Sequence, residues 1–236
     1  MRALRPTVSR FAAVALTFAI VACGGGEAKR GDTAAAPNAN GGKSFRIAMI
    51  AKSSTNPVFL SARTGAENAA KELSKANGVN VTIDWLTPPS EDGEVQAQRI
   101  AQAVNDGANA LLVSASDAGK VTGAINNAVD RGVPVMMFDS DAPNSKRFSF
   151  YGGDDEAMGR QVMMELAKQM NGKGRIAILA GNQNAPNLQK RVKGVKDEAA
   201  KSPGITILNT FFHAETPQDA AAEVLRAQTA YPDIQG

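Results

Sequence analysis

The stretch from Ser44 to Phe59 constrains this chain more than any other part of the sequence. Residues 44–51 form an apolar run too short for a helical domain core, and a polar loop then leads into Asn56 and Pro57. Asparagine favours the N-cap of a helix and proline its first position. Apolar residues recur at helical spacing from Phe59 to Leu73, so this helix can lay one face on a sheet. The stretch therefore predicts a strand, a loop and a helix, the first half of a βαβ unit.

The same order of strand and helix repeats along the chain. A first series contains strands 80–86, 108–113, 133–138 and 147–151 and helices 91–106 and 118–131. A second series, after Gly152, contains helices 156–171, 186–201 and 217–231 and strands 175–180 and 205–211. This alternation predicts an α/β fold with parallel sheets covered by helices. In such a fold the loops that follow the strands share one edge, where ligands bind.

The second series has fewer strands than the first. Within the first series, strand 80–86 alternates apolar and polar residues, which places it near an edge of the first sheet. Helical spacing predicts that Met158 and Val162 of the second series, and later Val224 and Leu225, face inward. Two strands are too few for a sheet that stands alone, so the second lobe is either incomplete or borrows strands from elsewhere, and we expect a truncated lobe.

Composition narrows the classes of protein that this chain can belong to. With 236 residues and 43% hydrophobic content, it can bury one large core or two small ones. A single cysteine excludes an intrachain disulfide framework, and a single histidine argues against a histidine-rich metal site, so no metal or cofactor is expected. The formal charge of +3 is accounted for by Arg2, Arg5 and Arg10, so no nucleic-acid partner is expected.

The N-terminus has the pattern of an export signal. Residues 1–22 combine an arginine-bearing start with a short apolar run, and Cys23 follows Ile20-Val21-Ala22. This pattern resembles the bacterial lipobox, which implies a lipoprotein signal peptide and a lipid anchor at Cys23. The alternative is a plain secretory signal with an incidental cysteine. Residues 23–43 lack apolar periodicity and predict a flexible tether.

Polar residues at or after strand ends form a candidate site for a hydroxylated ligand. Asp139 can accept hydrogen bonds, Arg191 can donate them, and Asn56 can do both. Each has an alternative role: Asn56 as a helix cap, Asp139 as a turn former, and Arg191 on a solvated helix face. Phe59 can equally be a core residue or a ring that stacks on the ligand. Asp141, Asn184 and Glu215 are further candidates, and Lys52 is expected at the rim of the site.

Seven short motifs, in this order, resemble those of the periplasmic ribose-binding proteins of sugar ABC transporters. They are the lipobox, Asn56-Pro57-Val58-Phe59, Ser116-Asp117, Val133 to Asp139, Gly153-Asp154-Asp155, Arg191-Val192-Lys193-Gly194 and Tyr231-Pro232-Asp233. The resemblance covers about residues 44–236. It implies two Rossmann-like lobes of periplasmic binding protein type I, an N-terminal lobe at 44–152 and a C-terminal lobe at 153–236, which close on a sugar.

The resemblance also implies roles for individual residues. Asn56 and Phe59 match positions that bind and stack on the sugar, Asp139 one that accepts from its hydroxyls, and Arg191 one that donates to them. The chain departs from the ribose binders at Val58 and Ser140, and it has Glu215 where a further aromatic is expected. The ligand therefore need not be ribose.

These observations predict a monomeric solute-binding protein outside the cytoplasm, lipid-anchored to the membrane, which delivers a sugar or polyol to an ABC transporter permease. A receptor that presents its ligand to a chemoreceptor or sensor kinase is the alternative. An enzyme is disfavoured because Gly172 to Ala177, a GxGxxA-like run, precedes a strand instead of following one. A lone histidine, His213, gives little support for acid–base catalysis.

Overall fold

The computed structural model describes residues 42–236, so the predicted leader, Cys23 and nearly all of the tether lie outside the described residues. Every strand and helix predicted from residue 44 onward is present. The elements are β1 (Ser44–Ile50), α1 (Pro57–Asn77), β2 (Asn80–Trp85), α2 (Gly93–Asn105), β3 (Ala110–Val113), α3 (Ala118–Asp130), β4 (Val135–Phe138), β5 (Ser149–Tyr151), α4 (Asp155–Gln169), β6 (Lys173–Ala180), α5 (Pro186–Ala199), β7 (Gly204–Phe212) and α6 (Pro217–Ala230).

The strands form two parallel sheets. The first has the order β2-β1-β3-β4-β5, which confirms the edge position predicted for β2. The second contains β6 and β7. We call residues 44–151 the first half and residues 155–236 the second half. The described residues cluster as one compact unit, so the lobe boundary at 152/153 stays a prediction.

Local sequence signals account for several helix ends. The Asn56 side chain accepts a hydrogen bond from the Val58 N–H at 3.0 Å and caps α1, which Pro57 begins. Asp117 caps α3 by accepting from the Lys120 N–H at 3.2 Å. These caps satisfy N–H groups that have no partner within the helix.

The first half holds the larger hydrophobic core. Ile50 of β1, Ile100 of α2, Ile125 of α3 and Met137 of β4 are fully buried. On α1, however, only Phe59 and Ala70 are buried, and Leu73 is 50% exposed. The prediction that Leu73 lies on the inward face is therefore wrong.

The second half packs its helices on a much smaller sheet. Its core cluster contains Met163, Ile176, Ala199 and Ile205. The prediction that Val162 and Leu225 face inward is wrong, because they are 63% and 64% exposed. The same error applies to the half-exposed residues Met158 and Val224. A two-stranded sheet offers too little surface to cover these apolar stripes.

Two glycines allow α4 and α5 to pack closely. A Cβ atom at Gly159 would lie 2.0 Å from the Arg191 carbonyl oxygen, and one at Gly194 would lie 2.1 Å from the Glu156 carbonyl oxygen. Only a residue without a side chain fits at either position. This contact holds the middle of α5 against the first turns of α4.

Among the described helices, none carries an apolar stretch long enough to span a bilayer. Within residues 42–236, no group of three or more histidine, cysteine or acidic side chains is arranged to hold a metal ion.

Candidate ligand-binding cleft

The carboxyl ends of strands from the two sheets face each other. We call the region between them the cleft. Parallel strands place their following loops at one sheet edge, which is where ligands bind in open α/β sheets. The residues that meet there come from loops after β1, β3, β4, β6 and β7, from the loop before α2 and from the first turn of α5: Lys52, Ser114, Asp139, Asn182, Glu215, Glu91 and Asn187.

The most deeply buried charges of the cleft form a cluster around Lys52, whose side chain is 2% exposed. Its Nζ atom lies 3.3 Å from Oε1 of Glu91 and 3.2 Å from Oε1 of Glu215. Asn182 donates to Oε2 of Glu91 from Nδ2 at 3.1 Å. We call these four residues the Lys52 cluster. The prediction that Lys52 lies at the rim is wrong, because two carboxylates offset the cost of burying its ammonium.

Two carboxylates beside one ammonium leave a buried excess of negative charge. Burial raises the pKa of Glu91 to about 7, although the charge of Lys52 opposes the shift. Burial also opposes ionisation of Glu215, but the Lys52 charge and hydrogen bonds from the Asn182 N–H and Lys52 Nζ lower its pKa overall. Glu91 is therefore the carboxyl that holds a proton most readily, and Glu215 stays ionised.

Asp139 forms a second contact across the cleft. Its Oδ2 accepts a hydrogen bond from Ser114 Oγ at 2.9 Å, and its Oδ1 accepts from Asn187 Nδ2 at 3.3 Å. Asp139 and Glu215 also share a backbone feature, with φ angles of +58° and +59°. Left-handed backbone is costly for residues other than glycine and is concentrated at functional sites.

Gln96 ties together the loops that carry the first-half groups. Its buried Nε2 donates to the carbonyl oxygens of Ala51 and Ser114 at 2.8 and 2.7 Å. Its Oε1 accepts from the Ser116 N–H at 2.8 Å. One α2 side chain thereby fixes the ends of β1 and β3, next to Lys52 and Ser114.

A cavity of about 720 Å³ opens between the two halves beside the Lys52 cluster. Asn56 lines it from the first half, and Glu215 and His213 line it from the second. His213 Nδ1 accepts from the Glu215 N–H at 3.0 Å, which helps to hold the loop after β7. The volume falls within the range of small-molecule sites. Its remaining lining residues are Thr55, Pro57, Gly181, Leu188, Thr216, Pro217, Gln218 and Ala220.

The seven predicted ligand residues do not all converge. Asn56 and Glu215 share the cavity, and Asp139 lies at the cleft. Phe59 is 2% exposed, with Lys52 Nζ 5.8 Å from its ring centroid, so it forms part of the floor beneath the Lys52 cluster.

The other three predicted residues have different surroundings. Asp141 is buried and pairs with Arg147, whose Nη2 donates to it at 2.7 Å. Arg191 donates from Nε to Asp155 at 2.8 Å and lines a second cavity of about 430 Å³. Asn184 is exposed. Their assignment as ligand contacts stays a prediction.

Sequence reasoning missed several groups that the structure brings together. Asn182 and Asn187 lie in an asparagine-rich segment directly after a predicted strand. Polar residues at such a position are candidates for the ligand site, so this position could have identified them. Glu91 lies beside Asp92, the N-cap of α2, and resembles an ordinary residue of a helix start. Gln96 gave no signal, because only the tertiary fold places it beneath two strand ends.

Comparison with known proteins supports the family resemblance that was predicted from the sequence. The sequence family described as periplasmic binding protein domain matches residues 47–236. The xylitol-binding protein of Mycolicibacterium smegmatis is 27% identical over 197 residues, which cover 84% of this chain and 51% of that protein. The D-ribose/D-allose-binding protein of Pseudomonas aeruginosa is 27% identical, over 70% of this chain and 52% of that protein. The chain thus spans about half the length of these relatives.

A solved structure shows the same fold. An ABC transporter solute-binding protein from Burkholderia graminis, in complex with D-arabinose, is 28% identical with a TM-score of 0.76. The match covers 82% of this chain and 65% of that one. It supports the predicted type I arrangement of parallel sheets flanked by helices.

Proposed function

Because this chain belongs to the periplasmic binding protein domain family, we propose that it is an extracytoplasmic solute-binding protein that captures a sugar or polyol between its two halves. It would then deliver the solute to an ABC transporter permease. Proteins of this family that resemble it bind xylitol, D-ribose or D-allose, and D-arabinose. They are binding proteins, and we accordingly propose a binding role without catalysis.

The proposal rests mainly on one observation: strands of two separate sheets end at the same cleft, with their carboxyl ends facing each other. Asp139 and Lys52 from the first half approach Asn187 and Glu215 from the second within hydrogen-bonding or ion-pairing distance. A hydroxylated solute needs fixed donors and acceptors around each hydroxyl group, and these side chains supply both. Burial strengthens each charge-assisted bond.

Among the seven predicted residues, the arrangement most directly supports Asp139, Glu215 and Asn56 as ligand contacts. Asp139 has Ser114 and Asn187 as neutral partners, so its carboxylate can accept from solute hydroxyls without first breaking an ion pair. Glu215 and Asn56 face the 720 Å³ cavity from opposite halves. Phe59 would supply an apolar floor. Arg191, Asp141 and Asn184 remain proposed contacts with less direct support.

The test begins with a thermal-shift screen of the full-length protein against xylitol, D-ribose, D-allose and D-arabinose. A solute at 100 times its dissociation constant should stabilise the protein by about 2.7 kcal/mol. Isothermal titration calorimetry of Asp139→Asn with the best solute should then show a loss of about 1.5–3 kcal/mol in binding free energy, the range for hydrogen bonds to a charged group. Asparagine suits the left-handed backbone at this position, so the change mainly removes charge.

Asp130→Asn is the matched control. Asp130 lies on α3, is exposed and pairs with Lys146 at 2.6 Å, so the same chemical change occurs away from the cleft. The Asp130→Asn variant should bind the solute with the same affinity as the unmodified protein. Equal affinities for both variants would remove Asp139 from the site, and the absence of any stabilising sugar or polyol would refute the proposed ligand class. Delivery and sensing share this binding step, so the test applies to either.

We further propose that the mature protein is a monomer held on the periplasmic or outer side of the membrane by lipid on Cys23. Cys23 follows an apolar leader and is the single cysteine of the sequence. Acyl chains stabilise membrane attachment by about 0.8 kcal/mol per buried methylene group. Replacing Cys23 by Ser should move the protein from the membrane to the soluble fraction after cell fractionation. A Cys23→Ser protein that stays in the membrane pellet contradicts the lipid anchor.

A further inference from the structure

The Lys52 cluster contains one more carboxylate than its ammonium can neutralise. Glu91 is 3% exposed and Glu215 is 16% exposed, and both lie within 3.3 Å of the same Lys52 Nζ atom. The Glu91 Oε1 atom is buried and has no hydrogen-bond partner among the described residues. Two ionised carboxylates would leave one buried negative charge uncompensated, whereas a proton on Glu91 makes the cluster neutral.

The cluster also crosses between the two halves. Lys52 and Glu91 belong to the first half, and Glu215 and Asn182 belong to the second. Moving the halves apart would break the Lys52–Glu215 ion pair and the Asn182–Glu91 hydrogen bond and would expose Glu91 to water. Its proton would then lose the environment that retains it.

We propose that Lys52, Glu91 and Glu215 form a proton-binding site that couples uptake of one proton to closing of the cleft. The proposal rests on the proposed function in one respect, namely that the two halves move apart and together around a solute. Binding of the proton to the Glu91 carboxylate changes the charge of the cluster from negative to neutral.

The groups that face Glu91 support this assignment. Lys52 approaches from the loop after β1, Asn182 from the loop after β6, and Glu215 from the loop after β7. The adjacent carboxylate, Asp92, accepts from the Glu94 and Val95 N–H groups and caps α2. Lys52 is thus the single cation among the described partners of Glu91.

The sign of the pH effect follows from linkage. Burial in the closed cleft raises the pKa of Glu91 from an ordinary value of 4.5 to about 7. The closed form therefore binds the proton more tightly than an open form with a hydrated Glu91. Its advantage is complete below pH 4.5 and is lost as the pH rises through about 7. Between pH 8 and pH 5.5, the ratio of closed to open protein should rise on the order of tenfold.

Spin labels on the two halves can measure this ratio. Lys71 on α1 and Lys190 on α5 are exposed and lie outside the cleft lining, so K71C and K190C can carry nitroxides in a C23S background of the full-length protein. Pulsed electron paramagnetic resonance would record the distance between the labels at pH 8 and pH 5.5. We expect a larger closed population at pH 5.5.

Two substitutions test the origin of the response. Glu91→Gln imitates the protonated carboxyl and should give the same closed population at both pH values. Glu94→Gln is the control, since the Glu94 side chain is 66% exposed on the same helix, and it should keep the full response. A distance distribution that does not change with pH, or a response that survives in Glu91→Gln, overturns the proposal. If Glu91→Gln does not fold, a carbon NMR titration of the unmodified protein decides: a glutamate carboxyl with a midpoint near pH 7 supports the site, and none overturns it.

Addition of the sugar or polyol found by the thermal-shift screen separates this inference from the proposed function. Closing on addition of the solute without a pH response leaves the proposed function standing and refutes the proton-binding site. A pH response that depends on Glu91, with no closing by any solute tested, supports the proton-binding site and refutes the proposed ligand.

Discussion

The two halves are built by the same rule, strand followed by helix, yet they bury very different amounts of apolar surface. The five-stranded half has fifteen buried residues in its core cluster, and the two-stranded half has four. The difference is visible on the helices: Ile125 of α3 is fully buried, whereas Val162 of α4 is 63% exposed. Apolar periodicity therefore shows which face of a helix can be buried, but the size of the sheet decides whether it is buried.

The comparison also shows that the helices of the two halves are held in place by different contacts. In the first half, helices are held by burial on a broad sheet. In the second half, α4 and α5 are held against each other through Gly159 and Gly194, where backbone meets backbone. Of the second-half cleft groups, Asn187 lies on α5 and so depends on this helix packing, whereas Asn182 and Glu215 follow the strands β6 and β7. This difference makes the two halves respond differently to the same kind of substitution.

Matched core substitutions should show the largest effect. Ile50→Ala in β1 removes a fully buried side chain and should lower the free energy of unfolding by about 2–5 kcal/mol. Ile205→Ala in β7 removes the same atoms from a site that is already 8% exposed, in a much smaller core, and should cost about half as much. Urea denaturation followed by circular dichroism measures both values.

Hydrogen exchange on the unmodified protein tests whether the smaller core makes the second half less stable. Amides of β6 and β7 should exchange faster than those of β1 and β3, because fewer apolar contacts oppose their opening. Equal exchange in both sheets, together with equal costs for the two isoleucine substitutions, would mean that the halves unfold as one cooperative unit. The contrast in core size would then have no thermodynamic consequence.

A smaller effect, with opposite signs at two sites, is expected for glycine substitutions. Gly159→Ala places a methyl group 2.0 Å from the Arg191 carbonyl oxygen, which forces α4 and α5 apart and should cost about 1–3 kcal/mol. Gly123→Ala on α3 meets no atom within 4 Å and should stabilise the protein by about 0.5–1 kcal/mol. Melting temperatures of the two variants measure this contrast. Stabilisation by both would contradict the close approach of α4 and α5.

Much of the fold could be predicted because its signals are local. Asn56 and Asp117 cap the predicted helices, and alternation in residues 80–86 correctly placed β2 at a sheet edge. The inward faces of α4 and α6 were predicted wrongly. Helical spacing is a property of one segment, whereas coverage by a sheet depends on strands that are distant in sequence.

The candidate site was predictable to a similar degree. Asp139 and Glu215 follow strands, and parallel topology brings such positions to facing edges. Their left-handed backbone and the burial of Lys52 gave no sequence signal. A lysine that follows a strand is ordinarily expected to reach solvent. It is buried here because two glutamates, at positions 91 and 215, approach it from different halves.

By itself, the sequence determined the order of strands and helices, several of their caps and the edge at which polar side chains gather, since these depend on neighbouring residues and on the direction of parallel strands. Only the tertiary structure decided which charges pair across the cleft, which apolar faces are covered and which carboxyl has a raised pKa. Each of these depends on distances between residues far apart in the chain, and both Coulomb interactions and desolvation vary steeply over such distances.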